Sequence, residues 1–186
     1  MKGILNNKGI TLIELVIVVT IIGILATSLS FSFQGWISGY NVERQIKEMH
    51  IDLMNARALT TRNNRMQFVA LTATQYTIYD DTDTPPDGDG IPDTANDTPV
   101  SQKNLNIRYP ITWSDAADTT VEFNTKGLSS ADKYICSNTD FISNDPSHSG
   151  ADYDCIIIST TRINLGQLSI SIPDGGACDA ANCIAK

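Results

Sequence analysis

Between Ile10 and Phe33 the chain carries a single ionisable side chain, Glu14, and between Arg65 and Lys103 it carries no lysine or arginine. Histidine is limited to His50 and His148. The motifs of familiar active sites are missing: there is no G-x-S-x-G, no H-E-x-x-H and no glycine-rich phosphate loop ahead of a helix. These gaps remove the usual bases for hydrolytic and nucleotide chemistry, and the chain is expected not to be an enzyme. Acidic residues outnumber basic ones 21 to 13, a formal charge of −8. Such a balance opposes attraction to nucleic acid or to anionic lipid head groups, so no nucleic-acid partner is expected. No internal repeat is visible, and 186 residues fit one domain.

The apolar stretch is the dominant feature. As a helix, residues 10–33 extend about 36 Å at 1.5 Å per residue, enough to cross a hydrocarbon core. Lys2 and Lys8 precede it with no acidic residue, which by the positive-inside rule keeps the N-terminus in the cytoplasm and sends the rest outward in a single pass. Glu14 is the anomaly, because a carboxylate at mid-bilayer depth costs roughly 2.5 to 3.5 kcal/mol and calls for a cationic partner. Two simpler readings compete. A secretory signal has the same charged start and apolar middle, with Ala26-Thr27-Ser28 as small residues for a cut, and a plain signal anchor looks similar. Neither accounts for Gly9 beside Ile10 or for a glutamate inside the run.

Lys8-Gly9-Ile10-Thr11-Leu12-Ile13-Glu14-Leu15 followed by the apolar run resembles the class III leader of type IV pilins and type II secretion pseudopilins. That resemblance implies a prepilin peptidase that cuts between Gly9 and Ile10 and methylates Ile10. It also implies that Glu14, the fifth mature residue, meets the N-terminal ammonium of a neighbouring subunit. Pairing two buried ions offsets a desolvation cost that neither could bear alone. The family usually has Phe where Ile10 stands. Its location follows from the same resemblance: the bacterial inner membrane with a periplasmic C-terminal part, then the pilus or pseudopilus. The expected partners are the peptidase, the inner membrane, and other pilin or pseudopilin subunits. Loss of Lys2 and Lys8 with the leader leaves 11 basic against 21 acidic side chains, a balance of −10.

Beyond the apolar run, Val42, Ile46, Met49, Leu53 and Ala56 recur at steps of four, three, four and three, one apolar stripe of a helix. Gly35 and Gly39 interrupt the pattern ahead of it and predict a bend. Glu43 with Lys47 and Arg44 with Glu48 stand four apart on the wet side. Trp36 reads as an interfacial anchor and Trp113 as core or sheet surface. The expected fold is α+β: a leader over 1–9, one long helix over 10–63 that is transmembrane to about residue 33, and a β-rich domain over 64–186 built on antiparallel sheet. Short β-branched runs bounded by Gly, Asn, Asp or Pro predict strands at 65–71, 75–79, 104–109, 120–124, 155–160 and 167–172. The helix end Ile51-Asp52-Leu53-Met54-Asn55-Ala56-Arg57-Ala58 with Thr61-Arg62-Asn63-Asn64 is similar to the GspH/FimT minor pseudopilins and minor pilins. So are Val121-Glu122-Phe123-Asn124-Thr125-Lys126-Gly127-Leu128, Cys155-Ile156-Ile157-Ile158 and Thr161-Arg162-Ile163. This likeness implies a subunit that initiates or caps a filament. An adhesin-like tip subunit that binds its ligand through calcium is the alternative.

Residues 80–97 hold seven aspartates in 18 positions. Carboxylates so crowded repel one another unless a cation such as Ca²⁺, which takes six to eight oxygens, neutralises them. Asp87-Gly88-Asp89-Gly90-Ile91-Pro92-Asp93 resembles the aspartate-rich calcium repeats of thrombospondin type 3, which normally have a further Asp at the place of Pro85. The implied ligands are Asp87, Asp89 and Asp93, with Asp83 or Asp97 closing the shell. The EF-hand pattern fails for want of its terminal Glu. A solvated acidic loop without any ion is the competing reading. Four cysteines beyond an export segment point to disulfides in an oxidising compartment. Of three pairings, the sequential one joins Cys136 with Cys155 and Cys178 with Cys183. A zinc site is the rival, but neither His50 nor His148 shows ligand spacing.

Overall fold

The structure, a computed structural model, describes residues 10–83, 88–138 and 150–186, with the backbone alone for 28–36. Thr11 sits in extended backbone and caps the first helix, α1 (Leu12–Asn63), by accepting the Glu14 N–H on its hydroxyl. Asn64 ends the helix in the left-handed conformation, φ 51° and ψ 38°, and returns its N–H to Thr60 O. Asparagine adopts that conformation more readily than other non-glycine residues.

Nine strands follow among the described residues: β1 (Gln67–Thr72), β2 (Gln75–Asp80), β3 (Thr98–Asn104), β4 (Ile111–Trp113), β5 (Thr120–Phe123), β6 (Lys133–Ser137), β7 (Cys155–Ile158), β8 (Ile163–Leu168) and β9 (Cys183–Ala185). They form two antiparallel sheets, ordered β3-β2-β1-β5 and β4-β6-β7-β8-β9. The fold is thus the expected α+β, a long helix on antiparallel sheet. The expected strand at 104–109 is a loop, and its place is taken by β3 just before it. The expected strand at 167–172 lies earlier, as β8. Strands β4, β6 and β9 had no counterpart in the sequence reading.

The apolar stripe of α1 forms the core seam. Val42, Ile46, Met49, Leu53 and Ala56 are all buried, in one cluster with Val69, Val121, Phe123, Ile135, Ile156 and Ile158 from both sheets. Among these, Val42, Ile46 and Met49 are fully inaccessible, and each such side chain contributes about 1.5 to 3 kcal/mol of burial. The helix runs unbroken through Gly39, and that glycine has a packing reason: a Cβ there would lie 2.4 Å from Gly150 O. The Glu43–Lys47 pair forms as expected. Glu48 instead turns to Lys103 on β3, at 2.7 Å, rather than to Arg44.

The disulfides differ from the sequential pairing. Cys136 bonds Cys178, and Cys155 bonds Cys183. The tail explains the correction, because β9 returns to pair with β8, which brings Cys183 of β9 to Cys155 on β7 and Cys178, ahead of β9, to Cys136 on β6. Gly166 on β8 lies beneath this crossing, where a Cβ would stand 3.0 Å from Cys155 Sγ and 3.1 Å from Cys183 Sγ.

Candidate assembly helix and acidic loop

The two halves of α1 meet different surroundings. From Val42 onward the apolar stripe is sealed by the sheets, whereas from Leu12 to Leu25 the large apolar side chains stand half to four-fifths exposed, Val18 at 50% and Leu12 at 80%. Glu14 is exposed among them, at the third position of the first turn. A carboxylate at that place favours the helix N-terminus through the macrodipole. Thr11 and Glu14 also match the T-x-x-E capping signature, a local role for the glutamate that the sequence reading missed. Thr20 and Thr27 hide their hydroxyls by donating to Val16 O and, at 2.9 Å, to Ile24 O. Among the described residues no helix is long and apolar enough to cross a membrane; in the exposed half of α1 the described side chains run from Leu12 to Thr27, about 24 Å of helix. Gly9 and His148 lie outside the described residues, as does the side chain of Trp36.

The second half of α1 is fastened to the sheets by polar contacts as well as by its seam. The Tyr76 hydroxyl donates to Asp52 Oδ2 at 2.6 Å, and Lys103 Nζ reaches the same carboxylate at 2.9 Å. Burial of Tyr76, then the Asp52 hydrogen bond, pushes its phenol far above the usual value. Gln45 accepts the Asn106 N–H at 3.0 Å and donates to Tyr109 O at 2.7 Å. Tyr109 donates to Ser38 Oγ at 3.3 Å, and His50 Nε2 lies 3.1 Å from Ile163 O. Arg44, Glu48, Lys103, Asn104 and Asn106 border a shallow polar groove beside this junction. Its carboxylate and lysine are already paired with each other.

The acidic loop wraps a residue that the sequence reading left out of the ligand set. Asp81 is fully buried and accepts the Asp89 N–H at 3.2 Å and the Gly90 N–H at 2.8 Å. The wrap requires Gly88, whose φ is +82° and where a Cβ would fall 2.0 Å from Asp81 Oδ1. Burial raises the Asp81 carboxyl above the usual range, against the pull of the Gly90 and Asp89 amides, and the charges of Asp97 and Asp83 add to the rise.

Of the five expected ligands, the structure brings Asp83 and Asp89 together with Asp81, each offering a carboxylate oxygen within 4.8 Å of the others. Asp83 Oδ1 is shut off from solvent and has no hydrogen-bond partner among the described residues. Asp93 and Asp97 do other work. Asp97 accepts the N–H groups of Thr82 and Asp93, both at 2.9 Å, and Asp93 accepts from Ala95 N–H at 2.8 Å and Asn96 Nδ2 at 2.6 Å. These two stitch the loop back to itself. Asp87 lies outside the described residues. Three crowded carboxylates, one buried and one with an occluded bare oxygen, fit a hard oxygen-seeking cation as part of its shell.

No curated protein and no solved structure matches the chain. The family model of the prokaryotic N-terminal methylation motif matches residues 4–30, and this motif suggests a type IV pilin-like or pseudopilin protein.

Proposed function

We propose that the protein is a minor pilin or pseudopilin, a non-catalytic subunit that helps to initiate or cap a type IV pilus or a type II secretion pseudopilus. It is stored as a single-pass protein of the bacterial inner membrane with its β-rich part in the periplasm. Prepilin peptidase then cuts between Gly9 and Ile10, methylates Ile10, and frees the subunit to join sibling subunits. The apolar run continues in sequence to Phe33, which gives the rod the length to span. The observation that carries this reading is the division of one unbroken helix. Its second half is sealed on the sheets, and its first exposes apolar side chains that no part of the same chain covers among the described residues. Such a surface needs lipid or the helices of other subunits. Features similar to GspH/FimT proteins at the helix end and in β5 and β7 favour the minor-subunit assignment within that class.

Mass spectrometry of the native protein tests this directly. The expected mature chain starts at N-methylated Ile10. A chain that retains Met1, or one that starts beyond Ala26, overturns it.

A second reading adds a calcium-dependent tip surface at the acidic loop. It is favoured by the gathering of Asp81, Asp83 and Asp89 and by the bare, occluded oxygen of Asp83. When bound, the ion would neutralise these carboxylates and fix the loop that joins β2 to β3.

A further inference from the structure

Cys136 on β6 and Cys155 on β7 stand directly opposite each other, yet each is bonded to the tail and not to its neighbour. The Ser137 N–H donates to Asp154 O at 2.8 Å, which makes Cys136 and Cys155 a non-hydrogen-bonded pair. In such pairs the Cα atoms lie about 4.5 Å apart, inside the separation of about 4.4 to 6.8 Å that a disulfide spans. The hairpin therefore accommodates a bond that the finished fold does not contain.

Chain order gives that bond precedence. Cys136 and Cys155 are 19 positions apart, against 42 and 28 for the two bonds observed. Ring closure over 19 rather than 42 positions is favoured about threefold. The tail also docks late, because β9 pairs with β8 alone and needs it already in place. We propose that Cys136 and Cys155 first close a transient disulfide, which the tail cysteines then capture by thiol–disulfide exchange. The chain is thereby a client of a dithiol–disulfide exchange catalyst in its oxidising compartment.

In the capturing step the Cys178 thiolate attacks Sγ of Cys136. The Cys136–Cys155 bond breaks and its electron pair leaves on Cys155 as a thiolate, so no net oxidation occurs. Cys155 takes up the proton that Cys178 gave up, and the Cys155 and Cys183 thiols then close, giving two protons and two electrons to an oxidising protein disulfide, which becomes a dithiol. Should the tail first close Cys178 to Cys183, an external dithiol must open it and is regenerated when the native bonds form. The fold directs which sulfur is attacked. Cys178 lies toward β4, its Sγ 3.7 Å from Thr112 O, while Cys183 sits on β9 across Gly166 from Cys155. Each tail thiol thus reaches a different end of the transient bond.

The test is oxidative refolding of the reduced full-length chain in detergent with oxidised glutathione, quenched by alkylation at intervals and mapped by peptide mass spectrometry. The Cys136–Cys155 peptide is expected before either native bond, and its decay is expected to quicken several-fold with a catalytic amount of a dithiol isomerase. Native bonds from the first time point, with no Cys136–Cys155 species, overturn the proposal. The Cys178→Ser/Cys183→Ser double variant is expected to be isolated with Cys136 and Cys155 joined; two free thiols in a folded variant overturn it as well. If that variant does not fold, the time course on the natural sequence decides alone.

Discussion

The Glu14 N–H donates to the Thr11 hydroxyl at 3.3 Å, so the one carboxylate of the apolar run stands in the helix's first turn. The bond is made by the Glu14 backbone; for its side chain, the T-x-x-E signature formed with Thr11 offers a local role in starting α1, alongside its proposed role as the partner of a neighbouring subunit's terminal amine. The two roles call for different chemistry. Capping accepts a neutral amide at that position, since glutamine serves there as well as glutamate. Ion pairing in an apolar surrounding requires the charge.

Glu14→Gln and Glu14→Ala therefore separate them. Both variants are expected to be processed at Gly9, and both are expected to enter sheared filaments at roughly a tenth of the natural level or less, the ratio for about 1.4 kcal/mol. Immunoblots of filament and membrane fractions provide the measurement. Normal incorporation of the Gln variant would assign Glu14 to helix capping and remove the charge-pairing account.

Tyr76→Phe tests the junction between α1 and the sheets. Tyr76 is 2% exposed and its hydroxyl donates to a carboxylate that is also bound by Lys103. Hydrogen bonds to charged groups contribute about 1.5 to 3 kcal/mol, and loss of this one is expected to lower stability by that order in urea titrations. Little change would mean that Lys103 alone holds Asp52.

How far the sequence spoke depended on the range of the interaction. The stripe from Val42 to Ala56 was legible because helical spacing is a local property, and all five residues are buried. Strands β1, β2, β5 and β7 were legible for the same reason, each having β-branched or aromatic residues between turn signals. Strand β6 was missed because Lys133 opens it, a buried lysine whose partners, Asp118 and the Thr120 carbonyl, lie far back in the chain. Strand β9 is three residues long and exists only as a partner of β8, and without it the crossed disulfides could not be foreseen. In the acidic loop the aspartates were conspicuous but their division of labour was not. Asp81 took the buried place because Gly88 and Gly90 turn their backbone around it, a role invisible in spacing alone.

Asp118 and Lys133 make stability depend on acidity in a defined window. Desolvation pushes the Asp118 carboxyl up, but the Lys133 hydrogen bond and the Thr120 N–H and O–H outweigh it, so its pKa falls below the ordinary value. A depressed folded pKa contributes stability that is present above the unfolded value of about 3.9 and is lost as pH falls through the folded value. Half of the pair is well hydrated, with the Asp118 side chain 44% exposed, which limits the charge contribution to about 1 kcal/mol or less. Asp118→Asn is expected to destabilise the protein at pH 7 and to match the natural protein near pH 2. A difference that persists undiminished at low pH would place the effect in packing rather than charge.

Calcium is the final test, because the loop separates ligands from stitching. If Asp81, Asp83 and Asp89 hold the ion, millimolar Ca²⁺ should raise the melting temperature of the full-length protein in detergent. For a site with Kd near 0.5 mM, within the range of extracellular modules, 5 mM Ca²⁺ stabilises by about 1.4 kcal/mol, a shift of roughly 3 to 5 °C for a chain of this size. Asp83→Asn and Asp89→Asn should abolish the shift. Asp93→Asn should lower the melting temperature without calcium, since its carboxylate holds Ala95 and Asn96, yet leave the calcium increment in place. Equal increments in all three variants would move the ion elsewhere. No shift in the natural protein would leave the buried Asp81 held by its two backbone amides alone, with its carboxyl protonating as pH falls through a raised pKa.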